Sequence, residues 1–101
     1  MRLTTQQQAA VRTTVSETFG SDAQVRLFGS RVDDSKRGGD IDLLITTSQS
    51  DVQAIMRAEI ALLTKLQMKL GEQKIDVLLD YPSRKERPPI FGVAMQTGIL
   101  L

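Results

Sequence analysis

The sequence contains no cysteine and no histidine among its 101 residues. Without thiols the chain has no disulfide, no thiolate nucleophile and no sulfur-ligated zinc site, and it suits a reducing compartment. Without imidazole it also lacks the base of serine and cysteine hydrolases and the nitrogen ligand that many metal sites use. A metal site in this chain would therefore be built from oxygen ligands, which favour Mg²⁺ or Mn²⁺.

The chain also has few aromatic residues and almost no net charge. One Tyr, three Phe and no Trp give little support for binding single-stranded nucleic acid by base stacking. The formal net charge is +1, so no strong field draws the protein to nucleic acid or to an anionic membrane. The sequence has no apolar run long enough to cross a bilayer, and its polar start does not resemble a signal peptide. We expect a cytoplasmic protein.

The remaining composition is typical of one small globular domain. Apolar residues make up 41% of the chain, and we expect residues 1–101 to form a single domain around one core. Hydrophobic periodicity predicts the order helix, strand, strand, helix, strand, helix. This order indicates an α/β (α+β) fold in which a short mixed β-sheet is flanked by helices.

The predicted elements are bounded by capping residues, glycines and prolines. Thr4 or Thr5 caps a first helix that ends near residue 18, and the final helix spans residues 90–97 before an apolar tail, residues 98–101. The predicted strands are Gln24–Phe28, Ile41–Thr46 and residues 74–80, with a polar loop at residues 32–39. The first two strands can pair antiparallel, and the third can lie parallel to the second.

The longest predicted helix begins at Ser50 or Asp51 and stops at Gly71. Its apolar positions follow the 3.6-residue period, so we expect this helix to supply much of the core. These positions are Val52, Ile55, Met56, Ile60, Leu63, Leu66 and Leu70.

Two acids, Asp40 and Asp42, stand at the start of the second strand, and their spacing places both on one face. Their Cα atoms would lie about 7 Å apart. An isolated pair of this kind more often marks the solvent face of an edge strand. Here the pair adjoins an apolar run, residues 43–45, where two acids would repel each other unless a cation neutralised them.

Asp76, in the third strand, makes the metal interpretation the stronger one. A third strand parallel to the second would bring Asp76 beside Asp40 and Asp42. Three such carboxylates can bind two Mg²⁺ about 4 Å apart, one activating an attacking oxygen and one holding a triphosphate. Asp80 lies about 13 Å further along the strand and is interpreted as a strand-end cap.

The turn Gly29-Ser30 is open to two interpretations. Glycine permits close backbone approach and the serine hydroxyl donates hydrogen bonds, so the turn can contact phosphate, but most Gly-Ser turns are only turns. Arg31 can pair with a triphosphate or with the loop acids Asp33 and Asp34. The sequence does not separate these alternatives.

The run Leu27-Phe28-Gly29-Ser30-Arg31, followed by Gly39-Asp40-Ile41-Asp42-Leu43-Leu44, resembles the signature of the DNA polymerase β-like nucleotidyltransferase superfamily. It is most similar to the minimal nucleotidyltransferase (MNT) branch. The signature is Gly-Ser, a variable spacer, Asp-x-Asp and a third acid on a later strand, here Asp76. The sequence differs in its nine-residue spacer and in Gly39, where many relatives have serine.

The resemblance implies a metal-dependent transfer of a nucleotidyl group, AMP from ATP, with release of pyrophosphate. It implies that Asp40 and Asp42 are metal ligands, that Asp76 is a further ligand or the base, and that Gly29 and Ser30 hold the phosphates. MNT proteins are often paired with a HEPN-domain toxin, a ribonuclease, and act as antitoxins that AMPylate it. We expect that role here, with a tyrosine hydroxyl of the partner as acceptor.

Other functions fit the same residues. The domain can be a nucleotide-binding antitoxin that neutralises its partner without turnover, or a transferase acting on a small molecule or an RNA 3′ end. A structural α/β protein with surface acids is a weaker alternative. The apolar tail, residues 99–101, can serve a partner or a homo-oligomer, or can simply pack in the core.

Overall fold

The computed structural model describes residues 1–35 and 39–101, and its elements follow the predicted order. Part of the loop predicted at residues 32–39 therefore lies outside the described residues. The elements are α1 (Thr5–Phe19), β1 (Gln24–Phe28), a 3₁₀ turn (Gly29–Val32), β2 (Ile41–Thr46), α2 (Val52–Leu70), β3 (Ile75–Asp80), α3 (Pro89–Thr97) and β4 (Ile99–Leu100).

The strands form one mixed sheet in the order β3-β2-β1-β4. Strand β1 is antiparallel to both of its neighbours, β2 and β4, whereas β3 is parallel to β2. The predicted α+β fold with a short mixed sheet is confirmed, and so are the two predicted strand pairings. Within the described residues, no helix is long and apolar enough to cross a membrane.

Helix α1 begins where the sequence predicts, because Thr4 caps it. The Thr4 hydroxyl accepts a hydrogen bond from the Gln7 amide at 3.0 Å, and the Gln7 side chain accepts one from the Thr4 amide at 2.9 Å. This reciprocal pair satisfies two backbone donors that the first turn leaves open. The helix ends at Gly20, whose φ of +107° suits glycine.

The main core lies on the face of the sheet that α1 and α2 cover. Alternate residues of β1 and β2 point into it, and both helices contribute their buried sides. The opposite face carries a smaller apolar cluster beneath α3, formed by Phe28, Leu44, Phe91 and Ala94. The core on the first face consists of Leu3, Val11, Val15, Phe19, Val25, Leu27, Ile41, Leu43, Ile45, Ile55, Ala58, Leu62 and Leu66.

The prediction for α2 is wrong at part of its apolar surface. Ile55 and Leu66 are buried as expected, but Val52, Met56 and Ile60 are 46%, 59% and 67% exposed. The apolar stripe of α2 is wider than the surface that the sheet and α1 offer to it. At about 100° per residue, Ile60 lies about 160° around the helix from the buried Leu62, so its side chain points away from the sheet.

The predicted apolar tail is also corrected, because Ile99 and Leu100 form strand β4 on the free edge of β1. The Leu101 amide then donates to the Val25 carbonyl at 2.9 Å. A strand of two residues is too short to show a period in the sequence, so hydropathy alone could not identify it.

Candidate active site

Asp42 and Asp76 are direct neighbours across the two parallel strands. The register pairs Asp42 of β2 with Asp76 of β3, and both residues alternate with core residues, so their side chains project from the face opposite α1 and α2. The Asp42 side chain is half-buried and that of Asp76 is exposed. The fold therefore brings together two acids that are 34 positions apart in the sequence.

Asp40 stands immediately before β2 and adds a third negative charge to the pair. Burial raises the pKa of Asp42, and the charges of Asp76 and Asp40 raise it further, while Lys74 lowers it in part. The Lys74 ammonium lies 3.5 Å from the Asp40 carboxylate. The three acids are thus close enough to interact, and one lysine balances only part of their charge.

Lys74 is a site residue that the sequence prediction missed. The same strand register that brings Asp76 beside Asp42 places Lys74 beside Asp40. The sequence does indicate this position, because Lys74 stands two residues before Asp76 and side chains two residues apart in a strand project from the same face.

Glycines at positions 29 and 39 let the 3₁₀ turn pack directly against the start of β2. Gly29 has φ of +77°, and a Cβ there would overlap the Asp42 carboxylate. Gly39 has φ of +93°, and a Cβ there would overlap the Ser30 hydroxyl. The two halves of the sequence signature therefore contact each other at their glycines, and the Ser30 side chain occupies the space beside Gly39.

Arg31 is held by the protein itself. Its guanidinium donates to the carbonyls of Arg2 at 2.9 Å and Gly39 at 3.3 Å, and to Gln73 Oε1 at 3.3 Å. These bonds connect the 3₁₀ turn to the N-terminal segment, to the residue before Asp40 and to the start of β3. A contact between Arg31 and a triphosphate stays a prediction.

A cleft of about 650 Å³ opens beside the acids. Asp42, Asp76 and Gly29 line one part of it, and apolar side chains line much of the rest. Helix α3 supplies part of that apolar wall, so the segment after Pro88 matters for the site as well as for the small apolar cluster. The apolar lining residues are Phe28, Val32, Leu78, Ile90 and Val93.

Comparison with protein families decides the identity of this fold. Residues 9–94 match the family described as "Nucleotidyltransferase domain". The chain belongs to this family. The match begins within α1 and ends within α3, so it includes the Gly29-Ser30 turn, the acids and the cleft. A comparison with curated proteins finds no match.

The nucleotidyltransferase domain offers an oxygen-only donor set for a metal, as its composition requires. In the described residues, no three acids are arranged tightly enough to hold a metal ion as they stand. Asp40 and Asp42 are nevertheless separated by one residue, and Asp76 is in register with Asp42. Burial raises the pKa of Asp42, and the charges of Asp76 and Asp40 raise it further. A divalent cation would offset both effects, so these residues fit Mg²⁺.

Other charged residues of the nucleotidyltransferase domain are engaged away from these acids. Asp80 accepts from Arg87 Nε at 2.7 Å, which agrees with its interpretation as a strand-end residue. Asp34 contacts the N-terminal ammonium group, and Asp33 accepts from the Ser35 amide at 2.9 Å. The Arg84 guanidinium stacks on the Phe91 ring with 4.6 Å to its centroid. The basic segment after β3 therefore folds back on the protein.

Proposed function

We propose that this nucleotidyltransferase domain is a Mg²⁺-dependent enzyme that transfers AMP from ATP to a hydroxyl group of a HEPN-domain toxin and thereby acts as its antitoxin. The observation that carries the chemistry is the parallel register that sets Asp42 beside Asp76, with Asp40 at the head of the same strand. The resemblance of residues 27–31 and 39–44 to the MNT branch supports the choice of partner.

Asp40, Asp42 and Asp76 are the residues that would hold the metal. Two bound Mg²⁺ would supply positive charge to the reacting phosphate and polarise the acceptor oxygen. Lys74 balances Asp40 in the free protein, and the Lys74 side chain is 71% exposed. It can therefore turn toward the triphosphate when a bound cation takes over the balancing of Asp40. The Ser30 hydroxyl and the backbone of the 3₁₀ turn would contact the phosphate oxygens.

The proposed transfer replaces a phosphoanhydride bond of ATP with a phosphate ester bond to the acceptor. The acceptor oxygen forms a bond to the α-phosphorus, and the bond between that phosphorus and the oxygen bridging to the β-phosphate breaks. Pyrophosphate leaves with the bonding electrons. The acceptor proton passes to the Asp76 carboxylate if Asp76 is the base, or to water if Asp76 is only a ligand.

The apolar wall of the cleft suits the base of the nucleotide. Phe28, Leu78 and Ile90 line the cleft beside the acids, and a planar heterocycle buries apolar area against such side chains. With the base on this wall and the phosphates at the 3₁₀ turn, the α-phosphate lies near Asp42 and Asp76. The acceptor then approaches from the exposed side of Asp76.

The test is a transfer assay with ATP labelled on the α-phosphate, Mg²⁺ and a HEPN-domain protein encoded beside this chain. We expect label on the partner, loss of labelling with EDTA, and loss of the partner's ribonuclease activity in step with labelling. Inhibition of the partner without labelling would favour a binding antitoxin. Labelling of RNA or of a small molecule instead would identify that molecule as the acceptor.

A binding measurement separates the site from its acceptor. We expect ATP to bind wild-type protein more tightly with Mg²⁺ than without it, and we expect this dependence to disappear in the double variant Asp40→Asn, Asp42→Asn. Isothermal titration calorimetry needs no acceptor and no turnover. Mg²⁺-dependent binding that survives in the double variant would favour the structural interpretation of these acids.

A further inference from the structure

Strand β3 has a backbone edge that faces away from β2. The carbonyls of Lys74 and Asp80 accept hydrogen bonds from the β2 side, from the amides of Ile41 and Thr47, both at 3.0 Å. Because backbone groups alternate in direction along a strand, those of Ile75, Val77 and Leu79 point away from β2. No strand of the described chain pairs with this outer side of β3.

An exposed apolar stripe adjoins that edge. Val52, Met56 and Ile60 recur every four residues on the exterior of α2, and we call this surface the α2 flank. Lys65 and Lys69 mark the opposite side of α2, because both contact Glu17 on α1. Helix α2 connects β2 to β3, so a flank turned away from α1 lies on the side of the β3 edge.

We propose that a second copy of this chain docks on the β3 edge, antiparallel, with Val77 opposite Val77 across a twofold axis. Sheets then continue from one copy to the other, and the α2 flank of each copy meets that of the other. In this register Ile75 lies opposite Leu79 of the second copy, so residues whose backbone groups point outward face each other. Such opposed residues exchange both of their hydrogen bonds in an antiparallel ladder.

The charged residues of β3 favour the register with Val77 on the axis over the registers with Asp76 or Leu78 on the axis. With Val77 on the axis, Lys74 lies directly opposite Asp80 of the second copy, and the same pair recurs at the other end of the ladder. Lys74 also contacts Asp40 and Asp80 also contacts Arg87 within each chain, so the cross-strand pairs extend ion pairs that already exist. Moving the axis to Asp76 would place two Asp76 side chains opposite each other. Moving it to Leu78 would place Asp76 opposite Asp80. Both shifts bring like charges together, which destabilises directly opposed pairs.

Moving the axis by one residue shifts the register by two residues, whereas a register shift of one residue places the axis between two residues and is excluded by the backbone. It would pair residues whose groups point outward with residues that already bond to β2, and the ladder would lose its hydrogen bonds. Exposed ion pairs contribute little to affinity, so the role of Lys74 and Asp80 is to determine the register rather than to strengthen the dimer. The α2 flank supplies the apolar area that leaves water.

The proposed dimer leaves the acids accessible. Asp76 points to the sheet face away from α2, and its neighbour across the axis is Leu78 of the second copy, which lies beside it in the plane of the sheet. The cleft opens above that plane, toward α3. This inference does not rest on the proposed function, and the size of the protein in solution can be measured without substrate.

The first test is sedimentation equilibrium of the full chain from about 1 µM to about 200 µM, a range in which a weak dimer dissociates measurably. We expect a reversible dimer. Met56→Lys, on the α2 flank, should weaken it by at least about tenfold. Met68→Lys is the matched control, because Met68 is 81% exposed on another side of α2, and it should change dimerisation by less than about twofold.

The second test is a charge exchange at the ends of β3. Lys74→Asp places an aspartate opposite Asp80 of the second copy, and Asp80→Lys places a lysine opposite Lys74 of the second copy. Each single variant should therefore weaken the dimer. The double variant Lys74→Asp, Asp80→Lys should restore most of the loss, because it re-forms both cross-strand pairs with their charges reversed. The intrachain pairs of Lys74 with Asp40 and of Asp80 with Arg87 are lost with each substitution, so they do not contribute to this recovery. Circular dichroism would confirm that each variant folds before its dimerisation is compared.

The third test fixes the register by cross-linking, which a chain without cysteine permits. Val77→Cys places two sulfurs opposite each other at a separation that a disulfide spans, and mild oxidation should give a covalent dimer. Ile75→Cys has the same chemistry, but its two copies would lie about 13 Å apart along the ladder and should cross-link far more slowly.

Two results would overturn the proposal. One is a monomer at every concentration, in particular if Met56→Lys then weakens binding to a HEPN-domain protein, since the α2 flank would serve that partner instead. The other is equal cross-linking of Val77→Cys and Ile75→Cys, which would show collision without a fixed register.

Discussion

The face of the sheet beneath α1 and α2 and the face that carries the acids differ in what their side chains contact. On the first face, Leu27, Leu43 and Ile45 are 0% exposed and pack against both helices. On the second face, Asp42 is half-buried and Asp76 is exposed, and α3 covers only part of the strands. Successive residues of one strand thus serve different surroundings.

This difference follows from the two-residue period of a strand. In β2, each acid is next to a residue that faces the core, so the backbone that packs the core also positions the carboxylates. Substitutions on the two faces should therefore have separable effects. Those on the acid face should reduce transfer at little cost in stability, and those on the covered face should do the reverse.

The largest effect is expected for Asp42→Asn. Transfer should fall by at least about a thousandfold, because a neutral amide is a poor ligand for the proposed Mg²⁺. Stability without metal at neutral pH should rise. The pKa of Asp42 is raised by burial and by its acidic neighbours, so the stability it contributes is present below its ordinary pKa of 3.8 and is lost as pH rises.

Asp80→Asn is the matched control for Asp42→Asn. Asp80 has the parity of Asp76 in β3 but bonds to Arg87, and its loss should change transfer by less than about threefold. Steady-state kinetics and urea denaturation of both variants would make the comparison. Full activity in Asp42→Asn would contradict the assignment of the metal site.

On the covered face, Leu62→Ala should reduce the free energy of unfolding by about 2–5 kcal/mol, because it leaves a cavity in the core. Leu62 is 0% exposed and belongs to the main cluster. The protein that remains folded should keep its transfer rate, measured at a temperature well below the midpoint of unfolding. Met68→Ala, on the exterior of the same helix, should change stability by less than about 0.5 kcal/mol.

The third prediction concerns Gly29, where the two halves of the sequence signature contact each other. Gly29→Ala should cost about 1–2 kcal/mol of stability from its positive φ and should also lower transfer by at least about tenfold, since its Cβ displaces the Asp42 carboxylate.

Gly71→Ala separates these causes. Gly71 has a similar φ of +82°, but a Cβ there meets nothing within 4 Å. It should show the backbone cost alone and retain full transfer, in the same kinetic and denaturation assays. Equal transfer by the Gly29 and Gly71 variants would show that the Gly29–Asp42 contact has no role in catalysis.

Much of the fold was predictable because its signals are local. The Thr4 cap, the alternation in β1 and the period of α2 each require only a few neighbouring residues, and the parallel return of β3 follows from the helix before it. The two-residue strand β4 was not predictable in this way. It is defined by its pairing with β1, and two residues are too few to show the period of a strand.

The candidate site was predictable in its acids and less so in its surroundings. Asp40 and Asp42 follow from strand parity, and Asp76 from the parallel pairing that the structure confirms. The contact of Lys74 with Asp40 and the apolar wall from α3 depend on register and on long-range packing. The reason for glycine at position 39 also appears only in three dimensions, where Ser30 fills the space a side chain would need.

The smallest effects should come from two glutamates outside the acid site, whose pKa shifts have opposite signs. The hydrogen bond from Lys65, with the charge of Lys69, lowers the pKa of Glu17 on α1, whereas burial raises the pKa of Glu59 on α2. Both have the ordinary value of 4.5 when unfolded. Ionised Glu17 therefore favours folding, and ionised Glu59 opposes it.

At neutral pH, Glu17→Gln should thus be slightly less stable than wild type, and Glu59→Gln slightly more stable. The Glu59→Gln difference should vanish as pH falls below 4.5, because the native glutamate is then neutral in both states. The Glu17→Gln difference should persist to lower pH and disappear only as the native carboxylate is protonated. Urea midpoints between about pH 7 and about pH 3.5 would measure both curves. Shifts of the same sign in the two variants would mean that burial, rather than the lysines, also governs Glu17.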